Sequence, residues 1–568
     1  MKRKIIDLPQ IRAAAEELES FRRSRAAFHA RVADEEEFYR MRVRPRAHSG
    51  EEGESFAPTS AWLLNTVLQK HADLMEHVPT ATCLAREPGD EEDAKALSSI
   101  LPVILERNRF EATYSDNMWY KLKHGVCAYG VFWNNTLEGG LGDVDLRRVE
   151  LMNLFWEPGV RDIQHSRSVY LIEQTDLASL RASFPDCDVK ADAVGVDGMT
   201  ERVTVVDWYY KKPLPGGGSA LHYCKFAGDC VLFATENEEG YERGWYEHGQ
   251  YPFVLDVLYP IEGECVGFGV IALARDAQLY IDRMDRNLLE YMDWATRVRF
   301  FCKKNTGVSE KEFTDLSRRI VEVEGDLDEE RLRQIRVEAL DEFWLALKNA
   351  KIDELKETTS NRDVLQGSAD GGVIAASAIA ALQEAGNKTM RDIVSASYRA
   401  FVGVVSLVIE CVRQFYSEAR YFRILGSQGE HRFIQWSNQS IAGKACGHLA
   451  SGEAVYRRPV FDIDVRAEKK DPYTRITHNE ILKELYALGV FKPENARQAS
   501  ILLSAMDFSG IARVRAQVEQ NATLSAAQNK AEKTPPPASV GSAGEVACAE
   551  KAREMAVALQ ERAEELSR

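Results

Sequence analysis

Between Val270 and Phe301 the apolar residues Ile271, Ala274, Ile281, Met284, Leu288, Met292, Ala295 and Val298 recur mostly in steps of three and four. That spacing places them on one face of an α-helix. At ~1.5 Å per residue the helix runs on the order of 45 Å, longer than a small core can cover. Its apolar face therefore needs helical neighbours. The chain offers one itself: a second helix, from Asp341 to Glu357, follows after a compact insert.

The insert reads as a small α/β unit. Ser309-Glu-Lys-Glu312 fits a capping box, and strands are expected at Arg319 to Glu324 and Leu332 to Glu338. Between them lies an acidic turn carrying Glu322, Glu324, Asp326, Asp328, Glu329 and Glu330; its spacing fits no EF-hand. After the second helix, Gln366-Gly-Ser-Ala-Asp-Gly-Gly372 breaks the chain, and a third long helix is expected from about Ile374 to Ser417.

Upstream, residues 8 to 45 read as one charged helix and Phe56 to Val78 as a second. Two more, Asp90 to Arg107 and Phe110 to Lys123, precede a change of period to strands at Val126 to Asn134 and Asp143 to Val149. From Ser168 to Val257 the pattern stays mostly β, with runs at Val203 to Tyr210, Leu221 to Phe226 and Val231 to Thr235. Downstream, strands are expected at Tyr421 to Leu425, Arg432 to Trp436 and Val460 to Val465. Helices follow at Tyr473 to Leu488, Glu494 to Met506, Ser509 to Glu519 and Val546 to Leu566, the last after a Pro-rich linker from Thr523 to Glu545.

At 568 residues the chain exceeds one core, and its nine Trp, 23 Phe and 20 Tyr exclude wholesale disorder. Its net charge of −16 supplies no global positive field toward nucleic acid or anionic lipid. Ten cysteines with no CxxC pair read as reduced thiols. No transmembrane span is expected, since the best candidate, Ile393 to Val412, carries Arg399 and Glu410.

No catalytic constellation emerges, and neither a metal nor a cofactor is expected. Gly267-Phe-Gly269-Val-Ile-Ala272 matches a dinucleotide-binding G-x-G-x-x-A string, but the helix after it runs on without returning to a parallel strand. Tight packing at the start of a long helix is the other reading. Asp143 and Asp145 alternate on a strand and could face a cation, or could follow a plain turn at Gly142. Cys446 and His448 form a lone metal half-site. The aromatic clusters Trp119-Tyr120, Phe132-Trp133, Phe155-Trp156 and Trp208-Tyr209-Tyr210 could stack on bases but mostly lack interleaved Arg or Lys.

The order of elements resembles that of tailed-bacteriophage portal proteins, and local strings resemble them too. These are Trp62-Leu-Leu-Asn65, Gly125-Val-Cys-Ala-Tyr-Gly130, Gly142-Asp-Val144 leading to Val149-Glu-Leu-Met-Asn-Leu-Phe-Trp-Glu-Pro158, and Gly249-Gln-Tyr-Pro-Phe253. Gly267-Phe-Gly269 with Gln278, and Gly372-Val-Ile-Ala-Ala-Ser-Ala-Ile-Ala-Ala-Leu-Gln-Glu384, complete the set. The resemblance runs from about residue 10 to 520. Asp282 departs from it, standing where similar sequences often place Asn.

The resemblance implies an α+β portal fold with a mixed helix and strand wing, a long-helix stem, a small α/β clip and a helical crown. The wing would be residues 1–265 and 374–470, the stem helices 266–301 and 341–365, the clip 302–340, the tunnel loop 366–373 and the crown 471–568. Ile271, Ala274, Ile281, Leu288, Met292 and Ala295 would pack the stem, and Gln366, Gly367, Ser368, Ala369, Asp370, Gly371 and Gly372 would line the DNA channel. The acidic turn from Glu322 to Glu330 would meet a partner.

The implied function is a ring, usually of twelve subunits, at one capsid vertex. The terminase large subunit would drive double-stranded DNA through it. Head-completion, adaptor and tail proteins would attach to it, and capsid and scaffolding proteins would surround it. Twelve chains of −16 carry −192, and a negative channel wall would let DNA slide. The alternatives are a nucleotide-binding oxidoreductase using Gly267 to Ala272, or a helical scaffold or adaptor protein.

Overall fold

The computed structural model describes residues 5–41, 60–185, 187, 189–195, 198–214, 218–296, 299–302, 332–335, 341–360, 388–425, 431–448 and 454–467, with Glu484, Val518 and Gln520. The chain divides into two units, Met1–Lys469 and Lys470–Arg568. In the second, only the three single positions are described, and all three are helical. The expected linker and the helix 546–566 lie outside the described residues, as does all but those positions of the helices expected over 473–519.

The first unit opens with α1 (Leu8–Ser24), started by a reciprocal capping box between Asp7 and Gln10, and α2 (Ala26–Tyr39). The sequence suggested one helix over 8–45. It is broken at Arg25 (φ −95°, ψ 1°), whose buried guanidinium donates to the Leu154 carbonyl at 2.6 Å and sits 3.7 Å from the Trp156 ring centroid. Next come α3 (Trp62–Met75) and β1 (Pro79–Ala85), a strand the sequence did not signal. α4 (Glu91–Arg107) and α5 (Phe110–His124) match their expected spans to within a residue, α5 ending at Gly125 with φ 82°.

β2 (Val126–Asn134) and β3 (Asp143–Val149) coincide with the expected strands. The β-rich stretch then forms β4 (Leu154–Trp156), β5 (Ser168–Asp176), a short α6 (Leu177–Ser183), β6 (Ala193–Val194), β7 (Glu201–Pro213), β8 (Ser219–Ala227) and β9 (Cys230–Ala234). These strands make a sheet in the order β4-β5-β7-β8-β9, with β6 on β7. Alternation along β7 serves three neighbours. Val206 and Tyr210 join the α1 face of Ile11, Ala14, Leu18 and Phe21, Val203 and Val205 cover α6, and Tyr209 reaches the main core.

β10 (Phe253–Val257), β11 (Tyr259–Pro260) and β12 (Gly267–Phe268) lead into α7 (Val270–Thr296). The long helix ends short of the expected Phe301, because the chain turns to β13 (Arg299–Cys302), which pairs antiparallel with β14 (Leu332–Ile335). The two ends of the insert are thus zipped together. α8 (Glu342–Thr358) is N-capped by Asp341, and α9 (Lys388–Phe415) falls within the third expected helix, whose residues 374–387 lie outside the described residues. β15 (Arg420–Leu425), β16 (His431–Trp436), α10 (Gln439–Ala442), β17 (Lys444–His448), β18 (Ala454–Arg457) and β19 (Phe461–Ala467) close the unit.

The main core lies where the three-stranded sheet β10-β2-β3 meets α3, α4, α5, the first half of α7 and α9. α9 is long and apolar enough to cross a membrane. Its Val404, Val405, Val408 and Val412 are nevertheless fully buried against that core, which accounts for their apolarity. β19 pairs with β1 across nearly the whole unit, so its first and last described strands are joined. Every strand pairing among the described residues is antiparallel.

Candidate functional site

The long helix α7 is anchored at its start by glycines that let backbones touch. A Cβ on Gly267 would lie 2.3 Å from the Tyr259 carbonyl oxygen, and one on Gly269 would lie 2.1 Å from the Lys123 carbonyl oxygen. A Cβ on Gly125 would meet the Phe268 carbonyl carbon at 2.1 Å. Neither Gly267 nor Gly269 has positive φ, so they are needed for close approach rather than for an unusual conformation. The G-x-G-x-x-A string therefore has its open side filled by protein. β12 is moreover two residues long and antiparallel to β11, unlike the parallel strand of a dinucleotide fold.

Two turns further on, Gln278 and Asp282 share one buried face of α7. The Gln278 amide donates to the Ser60 carbonyl, the Ser60 hydroxyl oxygen and Asp282 Oδ1, each at 2.8 Å, and its Oε1 accepts from the Leu63 backbone at 3.1 Å. Ser60 donates from its backbone and its hydroxyl to Asp282 Oδ1 at 2.9 and 3.0 Å. The start of α3 is thereby fixed to α7. Arg31 adds a bond to the Gly267 carbonyl at 2.6 Å, and Arg275 pairs with Asp34.

α8 packs along α7. Leu355 is buried, Lys348 pairs with Asp285, and Lys351 lies 5.5 Å from the Tyr280 ring centroid. Cover runs out toward the far end of the pair. Ile271, Ala274 and Ile281 are at most 1% exposed; Met284 and Leu288 are half-buried; Leu289 is 46% and Met292 52% exposed, and Ala295 is exposed. On α8, Phe343, Trp344 and Leu345 stand exposed together. The expected stem stripe is thus a single-chain core for half its length and an open apolar surface for the rest.

The tunnel-loop residues Gln366 to Gly372 and the acidic turn Glu322 to Glu330 lie outside the described residues. The other sequence candidates resolve into packing. Asp143 is buried, accepts from the Tyr416 hydroxyl and the Val144 backbone, and lies 3.5 Å from Arg107, while Asp145 sits 4.0 Å from Arg147. No cluster of metal-ligating side chains occurs among the described residues. Cys446 and His448 fall on strand β17. Trp119 stacks on His71, Trp133 on Phe415 and Trp208 on Tyr210, with ring centroids 4.0, 4.7 and 4.3 Å apart. These aromatics are engaged with protein.

A feature that residue spacing does not reveal is a buried charge deep in the main core. Lys121 donates to Asp256 and to the Ser397 hydroxyl, both at 2.7 Å, with both ionic side chains at most 1% exposed. The three residues come from α5, β10 and α9, segments far apart in sequence. Enclosed on every side, the group cross-links three elements.

A family model described as "Phage P22-like portal protein" matches residues 220–567, more than half of the chain. No curated protein matches it. Among solved structures, a chain of "Virion of native gene transfer agent (GTA) particle" is similar at 11% identity, with 78% of this chain and 93% of that chain covered and a TM-score of 0.34. On the family match, and with the glycine string removed as a nucleotide site, the chain belongs to the phage P22-like portal protein family.

Proposed function

We propose that copies of this chain close into a ring, a dodecamer, whose stem helices line a conduit for double-stranded DNA. The observation that carries the reading is the α7–α8 pair, apolar along one face yet covered by its own chain only near the wing. A head-to-tail, heterologous placement of copies that closes around an axis covers such a face without leaving an open end. The family is a structural one, and its place is the virion, at the capsid.

On this reading the terminase large subunit drives the genome inward through the ring, and the genome later leaves by the same path. The acidic turn Glu322 to Glu330 receives basic surfaces of the motor or of head-completion, adaptor and tail proteins. The loop Gln366 to Gly372, with Asp370 and no Lys or Arg, brushes DNA without gripping it, while the wing faces capsid and scaffolding proteins. Negative-stain microscopy of the purified full-length chain tests the reading. Closed rings with a central hole support it; isolated particles of single-chain size overturn it.

A further inference from the structure

The layer formed by α7 and α8 carries different charge on its two outer sides. α8 lies against α7 through Lys348 on Asp285, Lys351 over the Tyr280 ring and the buried Leu355. The side of α7 turned away from the buried Ala274 and Ile281 bears Asp276, Arg283, Arg286 and Glu290 at helical spacing. Arg283 is exposed, Arg286 is half-buried with its Nε enclosed, and neither guanidinium meets a carboxylate among the described residues. On α8, the side turned away from α7 bears the exposed acids Asp353, Glu354 and Glu357 within about one turn. The nearby cations point inward: Lys351 lies over Tyr280, also meeting Glu354 at 2.6 Å, and Lys356 lies over Trp62.

We infer that in the ring the outer side of α7 on one copy docks on the outer side of α8 on the next, with Arg283 and Arg286 set against the neighbouring copy's Asp353, Glu354 and Glu357. The inference rests on the ring reading and gives the contact its direction. Opposite charge on opposite sides of one layer favours a head-to-tail contact, whereas a two-fold contact of either side with itself sets like against like. Asp276 and Glu290 bracket the arginines, so the α7 side attracts acids at its middle and repels them at its ends, which holds one register along the helix. Leu289, one turn from Arg286, and Phe343, on the outer side of α8, add exposed apolar surface to the same two sides.

Sedimentation velocity of the purified full-length protein tests this. Arg283→Glu with Arg286→Glu should raise the concentration for half-assembly at least about tenfold, because like charges then face each other, and Asp353→Arg with Glu357→Arg should do the same. The chain carrying all four substitutions should recover rings. Circular dichroism and Tm separate loss of docking from loss of folding. The unaltered protein gives a second measurement: its half-assembly concentration should rise with salt, and indifference to salt overturns the inference. A wild type that forms no ring overturns the ring reading and this inference with it. Wild-type rings together with an arginine variant that assembles equally well overturn the inference alone, and so does a folded four-substitution chain that stays dissociated. An arginine variant that keeps its rings but retains less DNA would also overturn it, by placing the two guanidiniums at the conduit.

Discussion

Asp282 accepts three hydrogen bonds on a single oxygen, two of them from Ser60, a residue 222 positions earlier in the chain. All three partners donate, so an acceptor-only carboxylate suits the position. Asp282→Asn should keep an acceptor but lose charge assistance, destabilising the α3–α7 junction by about 1 kcal/mol, whereas Asp282→Ala should cost about 2–3 kcal/mol by orphaning buried donors. Denaturant melts of the two variants check the order. Equal losses would show that the carboxylate does not organise the junction.

At Gly269 a methyl group has nowhere to go, because the Lys123 carbonyl oxygen occupies its place. Gly269→Ala should destabilise the protein by about 3 kcal/mol through overpacking of backbone on backbone. Titration calorimetry of wild type with NAD or ATP should be flat. A micromolar isotherm abolished by the substitution would reinstate the nucleotide-site reading.

Breaking the enclosed Lys121–Asp256 pair on one side should be more damaging than removing both charges. Lys121→Met leaves Asp256 buried without its cation, at a cost of about 3–5 kcal/mol. Lys121→Met combined with Asp256→Leu should recover most of that loss. If the double variant is the less stable of the two, the pair contributes net attraction beyond its desolvation.

The elements that the sequence disclosed are those whose signals are local. α5 ends at Gly125 because a left-handed residue is needed there, β2 follows from a mostly apolar run and β3 from alternation of Val144, Leu146 and Val149 with charged residues. β1 escaped notice because its partner among the described residues, β19, lies far away in sequence, and β17 and β18 because they are only five and four residues long. The break at Arg25 was invisible for a related reason: it coincides with a contact to Leu154 and Trp156, not with a glycine or proline. The stem stripe was legible as a period of three and four. Which half of it the chain itself covers depends on where α3, α5 and α8 stop, which spacing along one helix does not encode. Likewise Gly267 and Gly269 were conspicuous as a motif, while the backbone that fills their open side comes from Tyr259 and Lys123.

His248 gives the fold a defined acid sensitivity. Burial holds its imidazole down to about 4 from the ordinary 6.5, aided by the positive charges of Lys211 and Arg413, and its Nδ1 accepts from the Gln250 backbone at 3.0 Å. Between those two values the unfolded chain binds a proton that the folded chain does not. Its contribution is therefore complete above about pH 6.5 and is lost as pH falls toward about 4. Tm measured from pH 7 to pH 4 should fall more steeply in wild type than in His248→Gln. Parallel curves would remove His248 as the cause.

The central claim is that the uncovered end of the α7–α8 face is where copies of the chain meet. The direct measurement is the mass in solution of the full-length protein and of a variant carrying Leu289→Glu and Met292→Glu, two exposed positions that the core of the chain does not use. Wild type should sediment near twelve times 63.9 kDa, and the variant should fall to single-chain mass with its circular dichroism and Tm preserved. A wild-type chain that stays monomeric at micromolar concentration, or a folded variant that still forms the full ring, would contradict the account.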